Sequence, residues 1–243
     1  NSLEIIRQSA KIAGRKIRIV TNEENSGNVF KQWKLGLLLS RGTHLWIAEA
    51  DDLAKPEFLS SSSDSFKKNT RFSFCDSEQV DGNDVLLASS YDYYYKCVDE
   101  KLFNKSFVMD GHNFVSRALS VRNVILNVSS VLWDRQHLSD TLRRVGKELT
   151  DYSLVGDWRL YLESLDNLDC SVAYVDRALN VHRRHATSVT HALDLQQHLD
   201  EILAMHSCAL GIVDHVDIQT KQSKYESELR KQFKLPMANA RAA

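Results

Sequence analysis

Trp46-Ile47-Ala48-Glu49-Ala50-Asp51-Asp52 decides how this chain is read. A short apolar run ends in three carboxylates within four residues. An apolar run bounded by a polar cluster reads as a buried strand, here Leu45 to Ala48, with the carboxylates falling where it leaves the sheet. In open α/β sheets, ligands bind in the crevice beyond the carboxyl ends of the strands. Carboxylates packed this closely raise each other's pKa unless a cation joins them. A hard divalent cation held by one or two carboxylates usually carries substrate phosphates as well. The plainer alternative is an acidic surface loop in which Asp51 or Asp52 caps a helix starting near Pro56.

Outward from that stretch, strands and helices alternate. Asn1 or Ser2 is a suitable N-cap for a first helix, and Ile17-Arg18-Ile19-Val20 reads as a strand rich in β-branched residues. A polar loop, Asn22 to Gly27, leads to a helix over Val29 to Ser40 with Phe30, Trp33, Leu37 and Leu38 on one stripe, stopped by Arg41-Gly42. Glu57 to Lys68 is a further helix, Arg71 to Cys75 a strand, and Asp81-Gly82-Asn83-Asp84 a turn. Tyr91 to Met109, with Tyr93-Tyr94-Tyr95 and alternating charges, reads as a mobile excursion. Ser129 to Trp133 is a strand. Asp157 opens a helix whose apolar face is Trp158, Tyr161, Leu162, Leu165 and Leu168. Ser171 to Val175 is another strand. Leu195, Leu199, Ile202 and Leu203 mark a late amphipathic helix, and Tyr225 to Phe233 a final one. This alternation predicts an α/β fold with a mixed, mostly parallel sheet covered on both faces.

Composition narrows the function classes. The chain has 243 residues, enough for one large α/β domain or a domain with an appendage. Its 31 Lys+Arg against 32 Asp+Glu leave no basic excess for nucleic acid and no basic tail for an anionic membrane. Cys75, Cys97, Cys170 and Cys208 lie far apart with no C-x-x-C pair, which argues for a reducing compartment and against structural zinc or a disulfide framework. No apolar run approaches membrane-spanning length, and no signal peptide is visible.

Taken in order, these segments resemble glycosyltransferase family 2, whose members have the GT-A fold. The resemblance rests on Asn25-Ser26-Gly27-Asn28, the helix ending at Arg41-Gly42, Trp46 to Asp52 with Pro56-Glu57-Phe58-Leu59, Phe74-Cys75-Asp76-Ser77, Asn127 to Leu132, Gly156 to Tyr161, and Leu179 to His185. It spans roughly Asn1 to His191 and is strongest to the branch that builds bacterial surface polysaccharides. No Q-x-x-R-W signature of processive synthases occurs. The resemblance implies a GT-A-like domain over residues 1–190 and a helical C-terminal extension over 191–243. In that family a strand and an Asp-Asp-Gly-Ser-like loop precede the segment matching Asn1. The expectation is therefore that this chain alone is inactive or poorly folded unless such a strand is supplied.

The resemblance also assigns roles. Glu49-Ala50-Asp51 matches the D-x-D motif, with Glu in the first position. It implies Glu49 at the donor ribose, Asp51 on Mg²⁺ or Mn²⁺, and Asp52 supporting both metal and donor. Asp157 matches the general base that takes the acceptor's proton; the plain alternative is an ordinary helix cap, and Asp151 is the fallback. Arg184 and His185 fall where the family covers the donor pyrophosphate, with Arg183 and His182 beside them. Asn25 would line the nucleotide side, while Gly27 serves a turn and Asn28 caps the Trp33 helix. Asn127, Ser129 and Trp158 are candidates for the acceptor, although polar bonding inside the strand and core packing of the indole are the ordinary alternatives. The implied partners are a nucleotide-sugar donor and a glycan or lipid-linked saccharide acceptor, with no nucleic acid. The implied place is the cytoplasm, at the inner face of the plasma membrane or within a larger assembly. Two rivals stay open: a catalytically silent nucleotide-sugar or glycan-binding fragment, and a metal-dependent phosphohydrolase using the same carboxylates.

Overall fold

The computed structural model describes residues 2–185 and 194–236. Asn1 and His191 fall outside them. In chain order the helices are α1 (Ser2–Ile12), α2 (Val29–Leu39), α3 (Phe58–Asp64), α4 (Asp92–Lys96), α5 (Gly111–Phe114), α6 (Arg135–Val145), α7 (Gly156–Ser164), α8 (Leu195–Ile212) and α9 (Val216–Phe233). The strands are β1 (His44–Trp46), β2 (Leu53–Ala54), β3 (Thr70–Val80), β4 (Leu86–Ala88), β5 (Phe107–Asp110), β6 (Val131–Asp134) and β7 (Ser171–Arg183). Among the described residues these strands make one open sheet, ordered β1-β6-β3-β7-β2, with β4 on β3 and β5 on β7. Helices flank it, which makes the fold α/β.

The sheet is mixed but mostly antiparallel, and this corrects the expected parallel majority. Only β3 and β7 pair in parallel. The apolar strands β1, β3 and β7 do run the same way, as the alternation implied. However, β6 is inserted between β1 and β3 and runs against both. The Asp81–Asp84 turn makes β3–β4 a hairpin, and a short connection of that kind permits only antiparallel pairing. Alternation of element types carries no signal for such an insertion.

This topology places the site. β1 and β7 end at one edge of the sheet, and β6, running the other way, begins there. The loop after Trp46, the segment before Val131 and the residues after Asn180 therefore converge, although they are far apart in the chain.

Ile17–Val20 has no ladder partner, and Ile17 and Val20 are each 48% exposed, so the expected strand is absent. β-branched residues favour extended backbone, but a strand also needs a neighbour for its N–H and C=O groups. β1 likewise ends the sheet with one edge unpaired. A cavity of about 820 Å³ lies between that edge and α2, lined by Trp33, Leu37, Leu45 and Ile47.

α2 is capped as expected, Asn28 accepting from the Lys31 N–H at 3.2 Å, after a turn in which Gly27 takes φ 61°. Trp33 and Leu37, four apart, are buried. Leu38 lies about 100° round the helix from Leu37 and is 72% exposed, outside the stripe assigned to it. Leu168, at 80% exposure, lies beyond the end of α7 and is not on its face. Neither Asp51 nor Asp52 caps α3, whose N-cap is Glu57.

The core is aromatic. Trp133 stacks on Tyr161 at 5.5 Å, and Phe72, Phe74 and Tyr174 continue the cluster. Tyr91 to Met109 belongs to this core, which corrects the expected excursion. Tyr91, Tyr95, Leu102 and Phe103 are buried, and Tyr95 stacks on Phe103 at 4.4 Å. Of the Tyr93-Tyr94-Tyr95 run, Tyr95 anchors the segment, while Tyr93 is exposed. α8 and α9 contribute Leu199, Ile202, Met205, Ala209 and Leu229 to the same cluster. Among the described residues no helix is long and apolar enough to cross a membrane.

Candidate functional site: a carboxylate cleft at the sheet edge

Glu49, Asp51 and Asp52 each offer a carboxylate oxygen, and these oxygens lie within 4.8 Å of one another. The loop that carries them is fixed on every side. The Glu49 N–H donates to Ser129 Oγ at 2.9 Å, and the Trp46 indole donates to the Ser129 carbonyl at 2.8 Å. Asp52 Oδ2 accepts from Asn127 Nδ2 at 2.8 Å, and Oδ1 accepts from the Arg183 N–H at 3.0 Å. Asn127 Nδ2 also donates to Asn180 Oδ1 at 3.1 Å. Thus Asn127 and Ser129, read as acceptor ligands, hold the acidic loop in place.

The Arg183 guanidinium is engaged through all three of its nitrogens. It donates to the Asp51 carbonyl at 2.9 Å, the Asp81 carbonyl at 2.9 Å and Asp84 Oδ1 at 2.7 Å. It straps the acidic loop to the β3–β4 turn. Asp51 points outward, its carboxylate 3.0 Å from His185 Nε2.

Asp157 lies across the cleft from this cluster. Glu49, Asn127, Asp157 and His182 line one cavity of about 260 Å³, with Phe30 and Trp33 as its apolar wall. Asp157 sits in the first turn of α7 and is not its N-cap, a position held by Val155. Its Oδ1 accepts from the Trp158 N–H at 2.7 Å and its Oδ2 from Asn123 Nδ2 at 3.2 Å. Burial pushes the Asp157 carboxyl up to about 6 against those bonds. The Glu49 carboxyl is pushed up to about 7, first by burial, then by Asp52, Asp51 and Asp157. A carboxyl raised by neighbouring carboxylates is one that a cation would relieve, and three hard oxygen donors suit Mg²⁺ or Mn²⁺.

α8 holds the loop that leads to Asp157. The buried Glu201 carboxylate accepts from the N–H groups of Ser153, Leu154 and Val155 at 3.0, 2.8 and 3.3 Å. This fixes the loop that enters α7. A Cβ at Gly156 would overlap the Phe30 ring, so the close approach of α7 to α2 requires glycine there.

Two expected residues lie apart from this machinery. Asn25 accepts from the Gly27 N–H at 3.0 Å in a local turn and lines neither cleft that holds Asp157. Trp158 is 2% exposed, its indole donating to the Leu119 carbonyl at 2.9 Å, so its ring has almost no face free for a sugar. Arg184 lines a second cavity that also contains Asp157.

Sequence reasoning underrated His182 and missed Asn180, Tyr91, Asn123 and Glu201. His182 Nδ1 lies 2.6 Å from the Tyr91 hydroxyl, and burial lowers its pKa despite Asp52 nearby. The available signal was period two: had the strand been carried through Arg183, Asn180 and His182 would have fallen on one face beside the acidic loop.

No protein-family model matches the chain, and no curated protein matches it either. What fold and site define is an α/β protein with a carboxylate cluster at the carboxyl edge of a mixed sheet, facing a half-buried aspartate across a cleft.

Proposed function

We propose that this chain is a GT-A-like, metal-dependent sugar-transfer domain that takes a nucleotide-sugar donor and a glycan or lipid-linked saccharide acceptor. The observation that carries this reading is that Glu49 and Asp157, far apart in sequence, line one cavity beside the three-carboxylate cluster. A cation held by Asp51, with Asp52 and Glu49 beside it, would neutralise charge on the departing diphosphate.

The residues then divide the work. Asp157, desolvated on the opposite wall, accepts the proton of the acceptor hydroxyl. The new bond joins the acceptor oxygen to the anomeric carbon as the bond from that carbon to the phosphate oxygen breaks. One base and one leaving-group clamp support a single displacement with inversion. His185 and Arg184 supply positive charge on the diphosphate side. This reading places the activity in a reducing, cytoplasmic setting, as the wide spacing of the four cysteines suggests.

The test is calorimetric titration with Mn²⁺ and a panel of nucleoside diphosphates, followed by assays with the matching nucleotide sugars. Metal-dependent binding lost in Asp51→Asn, with turnover lost in Asp157→Asn, is the expected result. Binding without turnover on any acceptor would favour a silent binding module. Rapid donor hydrolysis without acceptor would favour a phosphohydrolase. Binding indifferent to Asp51→Asn would overturn the assignment.

A further inference from the structure

Behind Asp157 lies a second cavity of about 340 Å³, with Tyr94, Arg122, Asn123, Asp157, Arg184 and Tyr225 among its lining. The Arg122 guanidinium carbon sits 4.3 Å from the centre of the Tyr225 ring and 5.6 Å from that of Tyr94. α9 brings Tyr225 to this point and the segment before Val124 brings Arg122, so the cavity is built by the C-terminal helices and the body of the fold together. Among the described residues Arg122 forms no ion pair, nor does the exposed Arg184 at the same cavity.

Arg122 is only half-buried, and contact with the two rings contributes about 0.5–2 kcal/mol while leaving its charge without a counter-ion. A phosphate or carboxylate is the partner whose geometry matches the planar fork. Asp157 does not fill that role. Its oxygens accept from the Trp158 N–H and Asn123, and neither bonds to Arg122.

We infer that this cavity is the acceptor subsite and selects an acceptor bearing a negatively charged group, a phosphate or a carboxylate, which Arg122 grips while the sugar hydroxyl meets Asp157. This rests on the transferase reading for the word acceptor, but the anion site itself does not. Tyr94 and Tyr225 flank the charge.

The test uses the full chain with three probes: glucose 1-phosphate, glucuronate and the neutral methyl glucoside. Calorimetry should show both anions binding more tightly than the neutral probe. Arg122→Gln should weaken them about ten- to a hundredfold, and Arg122→Lys less. The two anions separate a phosphate-bearing from a carboxylate-bearing acceptor. Protection of Arg122 from phenylglyoxal by each anion, mapped on the wild-type chain, gives the same information should Arg122→Gln fail to fold. Equal binding of methyl glucoside, or anion binding that neither shields Arg122 nor weakens in Arg122→Gln, would overturn the inference. Binding of Mn²⁺ and nucleoside diphosphate should be unchanged in Arg122→Gln. If that binding is absent from the wild type while the anion effect persists, the transferase reading fails and the anion site stands.

Discussion

Asn127 Nδ2 donates to Asp52 Oδ2 at 2.8 Å, tying the segment that starts β6 to the acidic loop that ends β1. The same amide reaches Asn180 on β7, and Asn127 Oδ1 accepts from the Ser129 N–H at 2.9 Å. A single side chain thus joins three strands at the sheet edge. Asn127→Ala should leave the cluster's charges in place and release their orientation. Outer ligand partners of this kind usually contribute about ten- to a hundredfold in metal affinity. The expected result is a loss of that size in Mn²⁺ affinity, read by calorimetry. An unchanged affinity would show that Asp52 needs no such support.

Asp51 is the exposed member of the cluster, and among the described residues only His185 engages its side chain. Asp51→Asn removes a charged ligand and replaces it with a weaker neutral one. Thermal denaturation without metal should change little, by less than about 0.5 kcal/mol, because the site is on the surface. The stabilisation that Mn²⁺ gives the wild type should disappear, since a ligand stabilises only in proportion to its binding of the folded state. Retention of that stabilisation would place the metal elsewhere.

Glu201 tests how the last helices serve the site. Its carboxylate accepts three backbone N–H groups at the entrance to α7. Glu201→Ala removes the partner of all three, leaves the buried Val155 N–H unsatisfied and should cost about 1–3 kcal/mol of stability. Glu201→Gln keeps one acceptor oxygen and should fold. If the loop aims Asp157, this milder variant should lower kcat more than it raises KM; a purely structural role would move only the melting temperature.

The acidic cluster was legible because it is local: three carboxylates at the end of an apolar run need no tertiary knowledge. Asp157 and the His182–His185 segment were legible through a resemblance in order and spacing, not through their own chemistry. Sheet direction was not legible, because the insertion of β6 between β1 and β3 leaves no mark on hydrophobic pattern. The supports Asn180, Tyr91 and Glu201 were illegible for a related reason. Each acts through a partner distant in sequence, and a buried glutamate on a helix looks like any solvated one until the loop it holds is seen. Ile17–Val20 shows the converse, since strong β propensity alone does not recruit a partner strand.

The last expectation concerns pH. Asp157 keeps its proton to about 6 in the folded chain and loses it near 4 when unfolded. As pH rises from about 4 to about 6, the unfolded state releases the proton first, so stability falls across that window and the loss is complete above it. Because the carboxyl still opens onto the cleft, the penalty is on the order of 1–2 kcal/mol, less than the full shift would give. Asp157→Asn removes the charge but keeps an oxygen to accept from the Trp158 N–H. It should therefore match the wild type near pH 4 and be more stable at pH 7. Activity should move the other way. The wild-type kcat/KM should rise with pH to a plateau above about 6, as a base freed of its proton requires, and Asp157→Asn should lose about a hundred- to ten-thousandfold. A variant that gains stability at neutral pH while losing turnover would mark Asp157 as a carboxylate held at a cost for proton transfer; a variant losing both would mark it as structural.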